Sequence, residues 1–367
     1  MKKKFLVLGI GNAQLDLIER LSGHFEVHAL SYSSDGPGLG YVDSFSMIDI
    51  ADKDAVLAYS MQQGIDYIYS VGSDVAMPTL TYVAEKLGLP TLASYAAATT
   101  CANKAKLRSL LRDTYGAVAF EVLSDPQQET TVPLPAMIKP VDSQGQRGVQ
   151  MITDRAEIPR AFDIAVGYSR IGKAILEEKI VGQEISVNGY MVNREMKFFL
   201  PSDREAWPQF DGGIIHKHFL PASLSEGAVF NVKRLVKATA ATLGIENGPV
   251  YFQIKMRGDT PYLIEVTPRL DGCHMWRLIK FATGVDLLQC AISQLQGLPV
   301  TFPDELDVNA GMLEFFCQPP DERFAQIGEH PGAQHVEWYY TPDEKIRRMN
   351  GYMEKCGYQI IIEDKKG

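Results

Sequence analysis

The chain opens on an apolar run, Phe5-Leu6-Val7-Leu8, that stops at Gly9-Ile10-Gly11-Asn12 and gives way to "AQLDLIERLSGH", where leucine and isoleucine recur at helical spacing. The exchange then repeats. "FEVHALSYS" predicts a strand, "ADKDAVLAYSMQQGI" a helix, "DYIYSVG" a third strand, and "AMPTLTYVAEKLGL" another helix before "PTLAS". This alternation predicts a small parallel sheet with helices on both faces over residues 1 to about 98, the way a nucleotide-binding type of fold begins. Its first turn lacks a full dinucleotide fingerprint, because Gln14 stands where the third glycine after Gly9 and Gly11 is wanted. A tight turn without a ligand is the better reading.

From "TTCANKAKLRSLLRDTYG" the texture changes. Thr100 or Asn103 can cap a helix carrying Lys104, Lys106 and Arg108, with Gly116 ending it. "PAMIKPVDSQGQRGVQMI" then predicts a strand closing on Lys139-Pro140, a turn rich in Ser143, Gly145 and Gly148, and a returning strand. Such a segment reads either as an exposed hairpin or as a phosphate-holding loop that uses backbone N–H groups and a lysine at the strand end. "AILEEKIVGQEISVNGYM" ends a strand on Glu177 and Glu178, turns at Gly182, and brings Glu184 seven residues after Glu177. Surface acids beside a turn and a nucleoside contact are both open there.

The most informative stretch is "GPVYFQIKMRGDTPYLIEVTPRL". Two apolar strands meet at Arg257-Gly258-Asp259, which predicts a hairpin. Gln253 and Glu265, twelve residues apart, fall at nearly opposing places on it, and Glu265, Thr267 and Arg269 share a face by the period of two. Oxygen-bearing side chains converging in this way suit a hard cation, which takes one or two carboxylates and leaves room for substrate phosphates.

Composition narrows the field. At 367 residues, with 46% hydrophobic and 22% charged positions, the chain is of enzyme size and suggests two or three domains. A net charge of -9 gives no basic excess for a nucleic-acid track. Five scattered cysteines without a CxxC pair predict buried thiols in a reducing compartment. The basic start "MKKKFLVLGIGN" has too short an apolar run for a signal peptide, and no stretch approaches the roughly 20 apolar residues needed to span a bilayer, so a cytoplasmic location is expected.

Taken in order, Asn103-Lys104, Lys139-Pro140 with its glycine-rich loop, Glu177 through Glu184, and Gln253 through Arg269 resemble the ATP-grasp superfamily over residues 1 to about 300. The resemblance is to the branch of carboxylate–amine ligases, carbamoyl phosphate synthetase large chains and biotin carboxylases. It implies a multidomain α/β and α+β chain: a Rossmann-like domain over 1–98, an ATP-grasp domain over 99–305 with a mobile lid of about 117–186, and a small C-terminal α+β lid over 306–367. Lys104 and Lys139 match the two ATP-phosphate lysines, and Ser143, Gly145 and Gly148 belong to the flap over the triphosphate. Glu177, Glu178 and Ile180 match the linker that reads adenine, and Glu184 matches the ribose acid. Gln253, Glu265 and Thr267 fall at the metal positions, while Arg269 matches the arginine that steadies the phosphate in transit. The implied cofactors are ATP and Mg²⁺, with Mn²⁺ able to replace it. Partners would be small carboxylate and amine substrates, neither nucleic acid nor membrane, and a homodimer stays open.

Departures from the pattern matter. Thr267 stands where the family usually has Asn, and Gln253 where it often has Glu, leaving Glu265 as the one anionic protein ligand of the three. His216 and His218, two apart, predict a shared strand face and a polar substrate lining. With no third and fourth ligand at suitable spacing, zinc is not expected there. Arg277, early in the helix after the hairpin, reads as a partner for a substrate carboxylate or as a solvated side chain. The tail predicts strand, strand, helix and strand. The expected chemistry is ATP-dependent ligation through an acyl phosphate. The rivals are a carbamoyl-phosphate-synthetase-like phosphotransfer, an ATP-binding protein that has lost turnover, and an NAD-linked oxidoreductase resting on Gly9 and Gly11 alone.

Overall fold

The structure, a computed structural model, describes residues 2–143, 147–207, 214–349 and 353–363, so Gly145 lies outside the described residues. The first unit runs β1 (Lys4–Leu8), α1 (Asn12–Leu21), β2 (Glu26–Ser31), β3 (Ser44–Met47), α2 (Lys53–Gln63), β4 (Tyr67–Tyr69) and α3 (Ala76–Leu87). Its strands are parallel in the order β3-β2-β1-β4, with Leu6 between His28 and Ile68. The edge strand β3 was not foreseen, because "SFSM" is short, half-exposed and carries no apolar run. The turn after β1 closes on itself. Gln14 Oε1 accepts from the Gly11 N–H at 3.1 Å and its Nε2 donates to the Val71 carbonyl at 2.5 Å. The side chain standing where the dinucleotide motif wants its third glycine thus plugs the turn.

Two short helices, α4 (Tyr95–Cys101) and α5 (Lys104–Leu110), replace the single helix expected here, and Asn103 caps the second by accepting from the Lys106 N–H at 3.0 Å. A second sheet follows from β5 (Phe120–Leu123), β6 (Ala136–Pro140), β7 (Gln150–Ile152), helix α6 (Ile158–Gly167) and β8 (Ala174–Glu178). Its order is β5-β8-β6-β7, all antiparallel. Ile158, Ala161, Phe162 and Ala165 form the buried stripe of α6, recurring at three- and four-residue spacing against Ile138 and Leu176.

The remaining elements are β9 (Glu184–Val192), β10 (Glu195–Ala206), β11 (Ile215–Leu220), α7 (Glu226–Leu243), β12 (Gly248–Arg257), β13 (Thr260–Thr267), α8 (Met275–Thr283), α9 (Leu287–Leu295), β14 (Gly311–Gln318), β15 (His335–Trp338) and β16 (Glu354–Ile362). The strands make one antiparallel sheet in the order β13-β12-β9-β10-β11-β14-β16-β15. Alternation divides its faces. Ile185, Val187, Phe252 and Ile254 turn to the apolar side of α7, where Val232, Leu235 and Val236 are fully buried. Glu184, Ser186, Tyr251, Gln253 and Lys255 are thereby forced onto the opposite face. The helix expected in the tail is absent among the described residues: "TPDEKIRRM" forms turns and a bridge from Lys345 to Arg323. Of that segment Ile346 is buried at 1% exposure while its charged neighbours stay exposed, so no apolar helical stripe exists. No described helix is long and apolar enough to cross a membrane.

One contact joins the first unit to the large sheet. Gly72, at φ 66° after β4, lies so close to Gly272, after β13, that a Cβ on Gly72 would sit 2.7 Å from the Gly272 Cα. Gly72→Ala is therefore expected to cost more than the about 1–2 kcal/mol of a left-handed residue alone, because the loops must also part. Thermal melting of the variant checks this.

Candidate active site

The hairpin of β12 and β13 has the register its sequence implies, with Gln253 opposite Glu265 and Tyr251 opposite Thr267. A bulge after Gln253 breaks the ladder and frees the carbonyls of Leu263 and Ile264. Arg108 of α5 takes both, donating from Nη1 to Leu263 O at 2.8 Å and from Nη2 to Ile264 O at 2.9 Å. The same guanidinium grips Glu177 at the end of β8, with Nε to Oε1 at 2.8 Å, and Lys139 Nζ reaches the other carboxylate oxygen at 2.7 Å. Glu177 is 2% exposed. Burial works against its ionisation, but Arg108 and then Lys139 outweigh it and hold the carboxyl well below the usual glutamate range. Glu177 therefore orients Lys139 and, through Arg108, the strand that carries Glu265.

Lys104 begins α5 and donates to the Ser143 carbonyl at 2.7 Å, close to where the flap starts. Burial pulls its pKa below the usual lysine range, opposed chiefly by Glu265 and aided by Lys139. Lys104 lies in a small cleft lined also by Glu265, Thr267 and Asp74, and the positive charge of Lys139 is felt there, which suits an anion. Gly148 holds φ 72° packed on Tyr168, as a tight flap turn requires.

Farther along the linker, Glu178 pairs with Arg257 at 2.7 Å and its N–H is spent on the Ala119 carbonyl at 2.9 Å, while Ile180 is buried. Glu184 accepts from Gln253 Nε2 at 2.6 Å and lies 3.0 Å from Lys255 Nζ and 3.3 Å from Arg204 Nε. Burial again opposes its ionisation, and Arg204 and Lys255 together lower its pKa. Gln253 spends its amide nitrogen on Glu184 and stands opposite Glu265 in the ladder.

Arg269 follows β13 and meets a residue the sequence reading did not single out. Asp74, in the loop after β4, receives Nε and Nη2 of Arg269 at 2.6 Å each. Thr267 also lies beside Asp74 and helps hold its carboxyl ionised, so one acid of the first unit meets two side chains of the hairpin's end. Burial opposes ionisation of Asp74, and Arg269, Thr267 and Lys104 outweigh it. A signal was there: Asp74 follows the carboxyl end of a strand in a parallel sheet, where such sheets build their sites. Arg108 offered no comparable sign, since its partners come from β8 and β13.

The histidine pair does not share a face. A bulge opposite Glu205 and Ala206 leaves His216 unpaired, and it reaches the acid that Lys217 reaches: Glu314 Oε1 lies 3.2 Å from His216 Nε2 and 2.9 Å from Lys217 Nζ. The His216 ring stacks on Trp207 at 3.9 Å. His218 alone points inward, beside Arg204 in register. Arg277 is neither solvated nor free for a substrate. It binds Asp16 of α1 at 3.2 Å and Glu337 of β15 at 2.8 Å, tying three elements together.

A family model described as "ATP-grasp domain" matches residues 132–276. The formate-dependent phosphoribosylglycinamide formyltransferase of Methanocaldococcus jannaschii is 24% identical over 98% of this chain and 97% of its own length. The uncharacterised protein y4rH of Sinorhizobium fredii is 25% identical over 62% of this chain, and the chain spans about half of that protein, 49%. The crystal structure of L-amino acid ligase from Bacillus licheniformis superposes with a TM-score of 0.80 at 19% identity, covering 100% of this chain and 95% of the other, a likeness of fold. Residues 132–276 match the ATP-grasp domain model, and the relative that spans nearly the whole chain and the shared fold agree with that match.

Proposed function

We propose that this protein is an ATP- and Mg²⁺-dependent ligase that joins a carboxylate to an amine. The observation that carries the reading is the cleft that Lys104 shares with Glu265, Thr267 and Asp74, with Lys139 acting on Lys104 and Arg269 bound to Asp74. The carboxylate substrate attacks the γ-phosphorus of ATP, giving an acyl phosphate and ADP. The amine then attacks the acyl carbon, phosphate leaves with the C–O electron pair, and the amine proton passes to solvent. Phosphoryl transfer asks a protein chiefly for positioning and charge neutralisation, and the residues here suit that. Lys104 and Lys139 neutralise phosphate oxygens, with Ser143 and Gly148 bordering them. Glu178 and Ile180 border the base, and Glu184 meets the ribose. Arg269, released in part from Asp74, steadies the phosphoryl group between its two bonds.

Glu265 and the oxygen of Gln253 suit a hard cation, with the Thr267 hydroxyl oxygen beside them. Bound there, Mg²⁺ supplies charge neutralisation for the phosphates. Two similar proteins, a formate-dependent phosphoribosylglycinamide formyltransferase and an L-amino acid ligase, support this reading and leave the substrate pair to experiment. Screening ADP release with Mg-ATP across amino acids and small acids tests the reading. Carboxylate-stimulated ADP with a new amide by mass spectrometry is expected, and tight ATP binding with no stimulation by any pair would favour a protein without turnover.

Thr267→Asn should keep or raise turnover. The new amide can donate to Asp74 and still offers an oxygen toward Glu265. A folded, ATP-binding but inactive Thr267→Asn protein in the same ADP assay would contradict the role given to Thr267.

A further inference from the structure

Two buried side chains and one half-buried side chain converge without a use in the chemistry above. His218 of β11 and Asp271 and Cys273 of the loop between β13 and α8 place an imidazole nitrogen, a carboxylate oxygen and a thiol sulfur within 4.8 Å of one another. Their polar atoms are largely unspent. His218 is 1% exposed, and neither ring nitrogen has a hydrogen-bond partner among the described residues. Asp271 is 4% exposed, with Oδ1 accepting from the Cys273 N–H at 3.1 Å and Oδ2 unpartnered among the described residues. Buried polar atoms are normally satisfied, so a cluster in which three stand open to one another asks for an occupant.

We propose that His218, Asp271 and Cys273 form a site for a divalent transition ion of the zinc class, with three protein ligands and a fourth position open. Nitrogen, sulfur and carboxylate oxygen are the ligand atoms zinc takes, and three of them with an open position is the arrangement of its reactive sites. Magnesium and calcium prefer oxygen alone, which separates this cluster from the Gln253 and Glu265 pair. Ligand bonds of about 2.0–2.3 Å require the three atoms to close by roughly 1 Å, within reach of side-chain rotation. Cys273 binds as thiolate, so each ion taken up releases one proton to solvent. Lys355 Nζ, 3.7 Å from the sulfur, stabilises that thiolate.

A bound anion is the competing occupant, since Lys355 and Arg204 both stand near. The open oxygen of Asp271 would repel an anion, whereas it completes a cation's ligand set. No histidine-x-histidine pairing takes part: His216 is on the other face, and the ligands missing around His218 come from a loop more than fifty positions further along the chain.

The test uses the full-length protein, stripped by chelator and titrated with Co²⁺ in the absence of ATP and Mg²⁺, so its result is independent of the ligase reading. Strong visible bands of four-coordinate Co²⁺ and a near-ultraviolet thiolate charge-transfer band are expected, saturating at one ion per chain and lost on adding Zn²⁺. Cys273→Ser should remove the charge-transfer band, and Asp271→Asn should weaken binding by at least about 10-fold, the low end for disturbing a metal site. Only the weak spectrum of hydrated Co²⁺ with the wild-type protein, or a charge-transfer band that survives in Cys273→Ser, overturns the site.

Discussion

Glu265→Gln is expected to abolish the proposed carboxylate-stimulated ADP release, by at least about 100-fold, the scale for removing one charge-stabilising group from a water-poor site. The size of the effect follows from what surrounds Glu265. Gln253 opposite it and Thr267 beyond it are neutral, so the substitution removes the only anionic oxygen among the three residues assigned to the cation. The change is isosteric and the side chain only half-buried, so melting should be unchanged or raised. Lys139→Ala should be equally severe for turnover. Activity is read as ADP formed under saturating Mg-ATP, with circular dichroism as the folding control. Near wild-type turnover in Glu265→Gln would remove Glu265 from the metal role.

Glu177→Gln is expected to damage both stability and turnover. Its carboxylate joins Arg108 and Lys139 in a buried cluster, and removing one member leaves the other charges uncompensated, at about 3–5 kcal/mol for a broken buried pair. The pH dependence has a definite sign. Because the folded pKa of Glu177 lies below its unfolded value, its contribution is present above the ordinary glutamate range and is lost only as pH falls through the depressed folded value. Melting curves of wild type and variant should therefore differ across neutral pH and converge in strong acid. Turnover falls with stability because Lys139 loses its tether and Arg108 its partner beside the bulge. A variant as stable and as active as wild type would show that Arg108 and Lys139 need no acid between them.

Much of this architecture was legible because the periods are clean. The run Phe5-Leu6-Val7-Leu8 and the alternation along β12 and β13 leave little choice of element, and the short turn at Gly258 and Asp259 fixes the register as far as Ile254 and Leu263, beyond which a bulge sets Gln253 against Glu265. What escaped depends on contacts between distant segments. The acid holding Arg269 is 195 positions away, and Glu177 is separated from Arg108 by 69. Periodicity reports faces within an element and is silent on partners in another. The bulge at His216 is a second limit: one extra residue in a strand reverses every later side chain, and no residue in "IIHKHFL" announces it. The tail failed for a third reason, since "TPDEKIRRM" is rich in helix formers but offers one buried apolar side chain to pack.

The central claim, that a carboxylate is activated by ATP on this protein, is tested most directly by isotope transfer. With ¹⁸O in both carboxylate oxygens of a substrate found by the ADP screen, Mg-ATP and an amine, the account predicts that one ¹⁸O per product formed appears in the released phosphate. Phosphate carrying only unlabelled oxygen, with ADP formed at the same rate, would contradict it.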